Sequence, residues 1–215
     1  MKADGTKFAG FDEFVTSLDE VSAVMGKPSQ RALHKVSDHV DDLCRGFIAK
    51  SPFLVIGSLG TDGHFELSPK GDPAGFVKVL DDKHLAIPDR LGNRRVDTFR
   101  NVLENPKVGL IFLIPGNPET LRISGEARIV RDQGLRQSMA VAGRLPDFAM
   151  VVFVERVFMH CAKCMLRSKL WQPEAWPDVA GTPSMAEMLV KSGELEITAG
   201  EMQAIIDKSQ QERLY

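Results

Sequence analysis

The chain has 215 residues, with 27 Lys+Arg against 29 Asp+Glu and a formal net charge of −2. At 43% hydrophobic and 26% charged its composition is neither that of a disordered chain nor that of a membrane span. The near-cancelling charge excludes a general nucleic-acid coat but leaves room for a local basic pocket. No stretch of the sequence approaches the roughly 18–20 apolar residues that cross a bilayer, so no membrane partner is expected. Residues 1–5 carry no apolar segment after Lys2 and do not read as a signal peptide. Three cysteines are too few for a disulfide framework, which points to a reducing cytoplasm.

In chain order, Phe11, Phe14, Val15, Leu18 and Val21 recur at three- and four-residue steps and predict a first helix. Gly26-Lys27-Pro28-Ser29 breaks it and offers Ser29 as a cap for the next. Leu33, Val36, Val40, Leu43 and Phe47 form a second apolar stripe, which Pro52 closes. From there the period changes. Phe53-Leu54-Val55-Ile56, the turn cluster Gly60-Thr61-Asp62-Gly63 and residues 64–68 predict a hairpin, and residues 75–80 and 84–87 predict a second one around Asp81-Asp82-Lys83. Val96, Phe99, Val102 and Leu103 are spaced as a short helix stopped by Asn105-Pro106. Strands over 108–114 and 120–130 follow, then a helix around 135–142 and a long strand over 149–162. Two helical patches, 185–191 and 201–206, lie in the tail. Strands joined mostly by tight turns predict a mainly β fold with flanking helices, an antiparallel barrel rather than a doubly wound sheet.

Three segments carry chemistry. In Pro88-Asp89-Arg90-Leu91-Gly92-Asn93-Arg94-Arg95, a strand end and a glycine turn lead to two arginines expected in the first turn of a helix. Cations are disfavoured there unless an anion occupies the site, and free N–H groups with guanidinium forks suit a phosphate. The competing reading is a solvated helix start, with Asp89 and Asp97 neutralising the arginines. In Ser68-Pro69-Lys70-Gly71, read as the end of the first hairpin, Lys70 can reach an anionic oxygen or belong to an ordinary polar turn. Cys161 and Cys164 have the spacing of half a zinc knuckle, but only Cys44 remains to complete a four-ligand set, so no metal site is expected. Beside them, Lys163, Arg167, Ser168 and Trp171 assemble cation, fork, hydroxyl and aromatic plane near a strand end. Phosphate-binding G-x-x-x-x-G-K, G-x-G-x-x-G and G-x-S-x-G motifs are absent.

In this order, from about Ser51 to Trp171, the motifs resemble the pyridoxamine 5′-phosphate oxidase-like flavoproteins with the FMN-binding split-barrel fold. The most specific part runs from Ile87 through Gly92-Asn93-Arg94-Arg95 to Glu104-Asn105-Pro106 and Val108-Gly109-Leu110-Ile111-Phe112. The resemblance implies a split antiparallel β-barrel over residues 51–171, an N-terminal helical extension over 1–50 and a helical tail over 172–215 packed on the same domain. It implies FMN as cofactor, with Arg94 and Arg95 clamping its phosphate and Asn93 adding a hydrogen bond. Ser68, Pro69 and Lys70 fall where relatives have a strand whose backbone and lysine border the flavin ring, and Pro88 and Asp89 fall at another cofactor-facing strand end. Thr120, Lys163, Arg167, Ser168 and Trp171 match positions that complete the site, Thr120 often from the second subunit of a homodimer with FMN at its interface.

The family's vitamin B6 oxidases carry a C-terminal arginine–histidine feature, where this chain has Arg167-Ser168-Lys169-Leu170-Trp171. The resemblance therefore supports the cofactor better than vitamin B6 as substrate. The expected activity is hydride transfer between FMN and an unknown small molecule or electron donor, with no catalytic residue assigned. The alternative is a non-catalytic flavin- or haem-binding carrier or sensor, for which His160 and His64 are the candidate axial ligands.

Overall fold

The computed structural model describes residues 7–215, with residues 31 and 32 described by their backbone alone. The chain divides into two compact units, Met1–Lys35 and Val36–Tyr215.

The first unit holds α1 (Leu18–Met25) and α2 (Gln30–His34). The helix expected from Phe11 starts later than its apolar stripe. Ser17 adopts an extended conformation and its Oγ accepts from the Glu20 N–H at 3.2 Å, while Asp19 and Glu20 suit the first turn. Phe11, Phe14 and Val15 precede that cap in irregular backbone and are exposed. Gly26 closes α1 with φ +75°, as the break at Gly26-Lys27-Pro28-Ser29 required.

The second apolar stripe is likewise not one helix. It is interrupted after His34 and resumes in α3 (Asp42–Lys50), which Asp41 caps by accepting from the Cys44 N–H at 2.8 Å. Between the two helices, in the second unit, Ser37 forms an isolated bridge with Val157. The same cap leaves Cys44 beside Asp41, and partial burial with that carboxylate pushes its thiol up to about 12.

The remaining strands are β1 (Phe53–Leu59), β2 (Phe65–Gly71), β3 (Lys78–Val79), β4 (His84–Pro88), β5 (Lys107–Leu113), β6 (Thr120–Val130) and β7 (Ala149–His160). They form one antiparallel sheet in the order β2-β1-β5-β6-β7-β4-β3. Helices α4 (Asp97–Glu104) and α5 (Gln133–Ser138) interrupt them, and α6 (Lys163–Ser168), α7 (Met185–Ser192) and α8 (Ala199–Glu212) follow. Alternation along the strands sends Leu54 and Ile56 of β1, Leu85 and Ile87 of β4, Leu110 and Phe112 of β5, Leu121 and Ile123 of β6 and Val152 and Val154 of β7 into one buried core. In a flat sheet β1 and β4, four strands apart, would lie roughly 19 Å from each other. A single core drawing on both means that the sheet curls on itself, as the expected split barrel does. Phe47 and Ile48 of α3 join this core.

Three local features go beyond the residue-by-residue reading. Ser68-Pro69-Lys70-Gly71 is not a turn but part of β2, with Pro69 opposite Val55. Since β2 is an edge strand, the donor that proline lacks is not missed by an outer neighbour. In β6, Gly125 sits at a register shift against β7, where a Cβ would stand 1.9 Å from the Phe153 carbonyl oxygen. Only glycine lets the two backbones approach this closely. Residues 163–168, read as lying near a strand end, form α6, a turn of helix that starts once β7 has finished.

Candidate functional site

Helix α4 fixes the site. Its buried Asn101 donates to the Ser58 hydroxyl of β1 at 3.1 Å, and its Val102 enters the core. Glu104 accepts from the Thr61 hydroxyl at 2.8 Å. The helix starts at Asp97, so Arg94 and Arg95 precede it rather than occupying its first turn. The cause is backbone: Arg94 (φ 61°) and Val96 (φ 53°) are left-handed, and the chain becomes helical only beyond them. Val96 supplies no side-chain cap, so the first N–H groups of α4 lack a capping side chain.

The two arginines are not equivalent. Arg95 Nε donates to Asp97 Oδ2 at 2.7 Å, and this carboxylate raises the guanidinium pKa further. That is the neutralised arrangement weighed above, realised for one residue of the pair. Arg94 is exposed and makes no ion pair among the described residues. Asn93 Oδ1 accepts from the Arg95 N–H at 3.0 Å, so this side chain shapes the loop as well as facing the cavity.

Between this loop and edge strand β2 lies a cavity of about 600 Å³, within the range of about 300–1,000 Å³ typical of small-ligand sites. Its lining brings together Ser68, Pro69, Lys70, Asp89, Asn93, Arg94 and Arg95. Pro88 is buried at the end of β4, next to Asp89. Asp89 is half-buried and its backbone N–H donates to the Phe148 carbonyl at 3.0 Å. Burial pushes its carboxyl up first; Lys70 and Arg90 pull it down, while Asp147 raises it. Sequence reasoning missed Thr98, Asp147 and Phe148 as lining. Phe148 stacks edge-on against Phe99 at 5.7 Å. Phe99 was legible as a helix position, but nothing in the sequence marks the loop before β7 as facing β2.

The other expected residues lie elsewhere. Thr120 starts β6, is buried and pairs in register with His160, the last residue of β7. Lys163, Arg167 and Ser168 belong to α6, all exposed, and the Ser168 hydroxyl donates to the Met165 carbonyl at 3.1 Å. Trp171 Nε1 donates to the Asn117 carbonyl at 2.8 Å. The cavity borders the opposite end of β7, where Ala149 pairs with Pro88. Along β7 the two ends are roughly 35 Å apart. Within one chain these five residues therefore do not share the cavity. Cys161 and Cys164 are free and exposed, and among the described residues no group of three or more His, Cys, Asp or Glu is placed to hold a metal. Among them, too, no helix is long and apolar enough to cross a membrane.

The outer face of β1, β2, β5, β6 and β7 carries an apolar depression of about 470 Å³. Val55, Phe65, Leu67, Ile111 and Phe158 line it, edged by Arg122 and Arg156. Gly57 and Gly109 face each other across β1 and β5, and a Cβ on Gly57 would stand 2.7 Å from the Phe65 ring. Leu67 lines both the depression and the cavity, so the two adjoin at edge strand β2.

An antiparallel split barrel thus carries, at the start of α4, a cavity of small-ligand size lined by arginines, a lysine, carboxylates and apolar side chains. A family model described as pyridoxamine 5′-phosphate oxidase matches residues 40–161, more than half of the chain, and the chain belongs to that family. The family typically binds FMN or related flavins. Among solved structures the chain is similar to HupZ from Group A Streptococcus, at 17% identity and TM-score 0.46 over 56% of this chain and 93% of that one. It is similar to a putative pyridoxamine 5′-phosphate oxidase from Lactobacillus delbrueckii, at 18% and 0.45 over 57% and 95%. A pyridoxamine 5′-phosphate oxidase-related, FMN binding protein from Nostoc punctiforme matches at 12% and 0.39 over 54% and 76%. No curated protein matches the chain.

The residues present fit FMN. An unpaired guanidinium on Arg94, the α4 N-terminus without a capping side chain, and Gly92, where a Cβ would meet nothing within 4 Å, leave room and donors for a phosphate. Ser68 and Lys70 on β2 and the aromatic pair Phe99–Phe148 offer polar and apolar walls for a ring system.

Proposed function

We propose that this protein is an FMN-dependent oxidoreductase acting on a small molecule, and that the flavin sits between two copies of the chain. The observation that carries the reading is the cavity of about 600 Å³ that joins Arg94, Arg95 and the start of α4 to Lys70 and Asp89. Bound FMN supplies reversible two-electron chemistry; the residues bind, orient and exclude water. Arg94 holds the phosphate as a free fork, with the first N–H groups of α4 beside it. Arg95 divides its charge between Asp97 and the phosphate. Asn93 braces the turn between them. Lys70 supplies a cation near the ring, next to the half-buried Asp89. Ser68, Pro69 and Pro88 border the ring through edge strand β2 and the end of β4.

The apolar depression supports a homodimer, because it exposes Phe65 and Leu67 and adjoins the cavity at Leu67. A second copy seated there is the source of Thr120, Lys163, Arg167, Ser168 and Trp171 for the completed site. Their distance from their own chain's cavity is what this assignment removes. The three free thiols fit a reducing compartment, and we assign the protein to the cytoplasm. The cavity, where Arg94 and Lys70 stand among carboxylates that offset most of the positive charge, takes one phosphate-bearing cofactor rather than a polyanion.

The absorbance spectrum of the purified protein, followed by anaerobic addition of NADH, NADPH, amines and alcohols, tests the proposal. Near-stoichiometric flavin that one of these donors bleaches is the expected result. A Soret band without flavin overturns the cofactor, and a bound flavin that none of them reduces overturns the enzymatic half in favour of a carrier or sensor.

A further inference from the structure

We infer that Tyr215, far from the cavity in sequence, is a positioning residue for the loop that forms the anion site. Asp72, just beyond β2, has a side chain only 1% exposed, and both its oxygens are engaged. Oδ2 accepts from Arg90 Nε at 2.6 Å, and Oδ1 accepts from the Tyr215 hydroxyl at 2.8 Å. Arg90 also donates through Nη2 to the Met139 carbonyl at 3.0 Å, and its guanidinium stands 6.0 Å from the centre of the Tyr215 ring. Arg144 donates to the Tyr215 backbone carbonyl oxygen. The tyrosine closes a small recess of about 100 Å³, four of whose lining residues, Asp89, Arg90, Leu91 and Asp147, also line the main cavity.

The consequence follows from where Arg90 stands. It opens the segment that carries Arg94 and Val96 in left-handed conformations, and such backbone persists only where its ends are held. The Asn101–Ser58 hydrogen bond holds the far end, on α4. At the near end, Arg90 is held by a buried carboxylate that needs a second donor, and that donor is Tyr215. Without the phenol, Asp72 keeps one of its two partners, the guanidinium loses the ring beside it, and the loop has a loose start. Tyr215 therefore sets how far the anion site is formed before its ligand arrives. The cofactor consequence rests on the FMN reading; the loop consequence does not.

The test compares the full chain with Tyr215→Phe and Tyr215→Ala. Hydrogen exchange over residues 89–97 is followed without added ligand, together with the melting temperature and an FMN titration. Tyr215→Ala should speed exchange selectively in 89–97 and weaken FMN by about tenfold, with a melting temperature lowered by no more than about 2–4 °C, the scale of one lost buried hydrogen bond. Tyr215→Phe, which keeps the ring and loses the hydrogen bond, should fall between the two. Unaltered exchange in 89–97 for both variants overturns the inference. So does a rise in exchange spread over the whole barrel with a melting temperature lowered beyond that, which marks a purely structural role. Selective loosening with unaltered FMN affinity overturns the link to the cofactor. Selective loosening in a protein that binds no FMN upholds Tyr215's role and removes the FMN reading alone.

Discussion

Arg94 and Arg95 are neighbours with different tasks. Arg95 is already bound to Asp97, whereas Arg94 is held out of the helix by its own positive φ and has no ion pair among the described residues. Arg94→Ala should therefore weaken FMN binding about 100-fold, the scale of one lost bidentate charge pair. Arg95→Ala should cost about tenfold, because its fork is already engaged by Asp97, and the loss is the charge balance that this remaining carboxylate upsets rather than a direct phosphate contact. Fluorescence titration of the two variants checks the order, and equal losses would contradict it. The glycine turn and its two arginines were legible as a candidate anion site, and the structure brings them to the wall of one cavity. Their asymmetry was not, because it depends on the left-handed backbone at Val96, a β-branched residue whose sequence signal points away from that conformation.

Among the elements, the long strands were the most legible. The alternation over β5, β6 and β7 is strict enough to mark their limits within a residue or two. Strand β2 was half missed, because proline reads as a turn wherever the sheet order is unknown. The N-terminal stripe showed a helix but not its start, which Ser17 decides through a cap rather than through apolar spacing. Gly125 is the element-scale hinge of the barrel: its Cβ position is occupied by the Phe153 carbonyl. Gly125→Ala should destabilise the fold by about 2–4 kcal/mol, since the β6–β7 pairing must open to admit a methyl group. Gly46, inside α3 with nothing within 4 Å of its Cβ position, gives the opposite case. Gly46→Ala should stabilise by about 0.5–1 kcal/mol. Urea unfolding measures both, and a neutral Gly125→Ala would contradict the close approach.

For the whole molecule, the expected site residues fall into two sets at opposite ends of β7, one around the cavity and one around α6. The resemblance drew Thr120, Lys163 and Arg167 from a second subunit, but the distance between the two sets within one chain was not legible, because order along a chain does not report distance around a curled sheet. The proposed pairing of two copies through the outer face reunites them. Phe65→Glu with Leu67→Glu places two charges on the exposed apolar patch, 63% and 66% exposed at these residues, and should convert a dimer into a monomer by light scattering. FMN affinity should fall with the dimer, since Leu67 belongs to both surfaces. A monomeric unaltered protein that binds FMN tightly would contradict the shared site.

The central claim is that the loop from Gly92 to the start of α4 captures a phosphate. Its most direct test is parallel titration of the unaltered protein with FMN and with riboflavin, the same ring system without the phosphate. The account predicts FMN binding at least about 100-fold tighter. Equal affinity for the two ligands would contradict it.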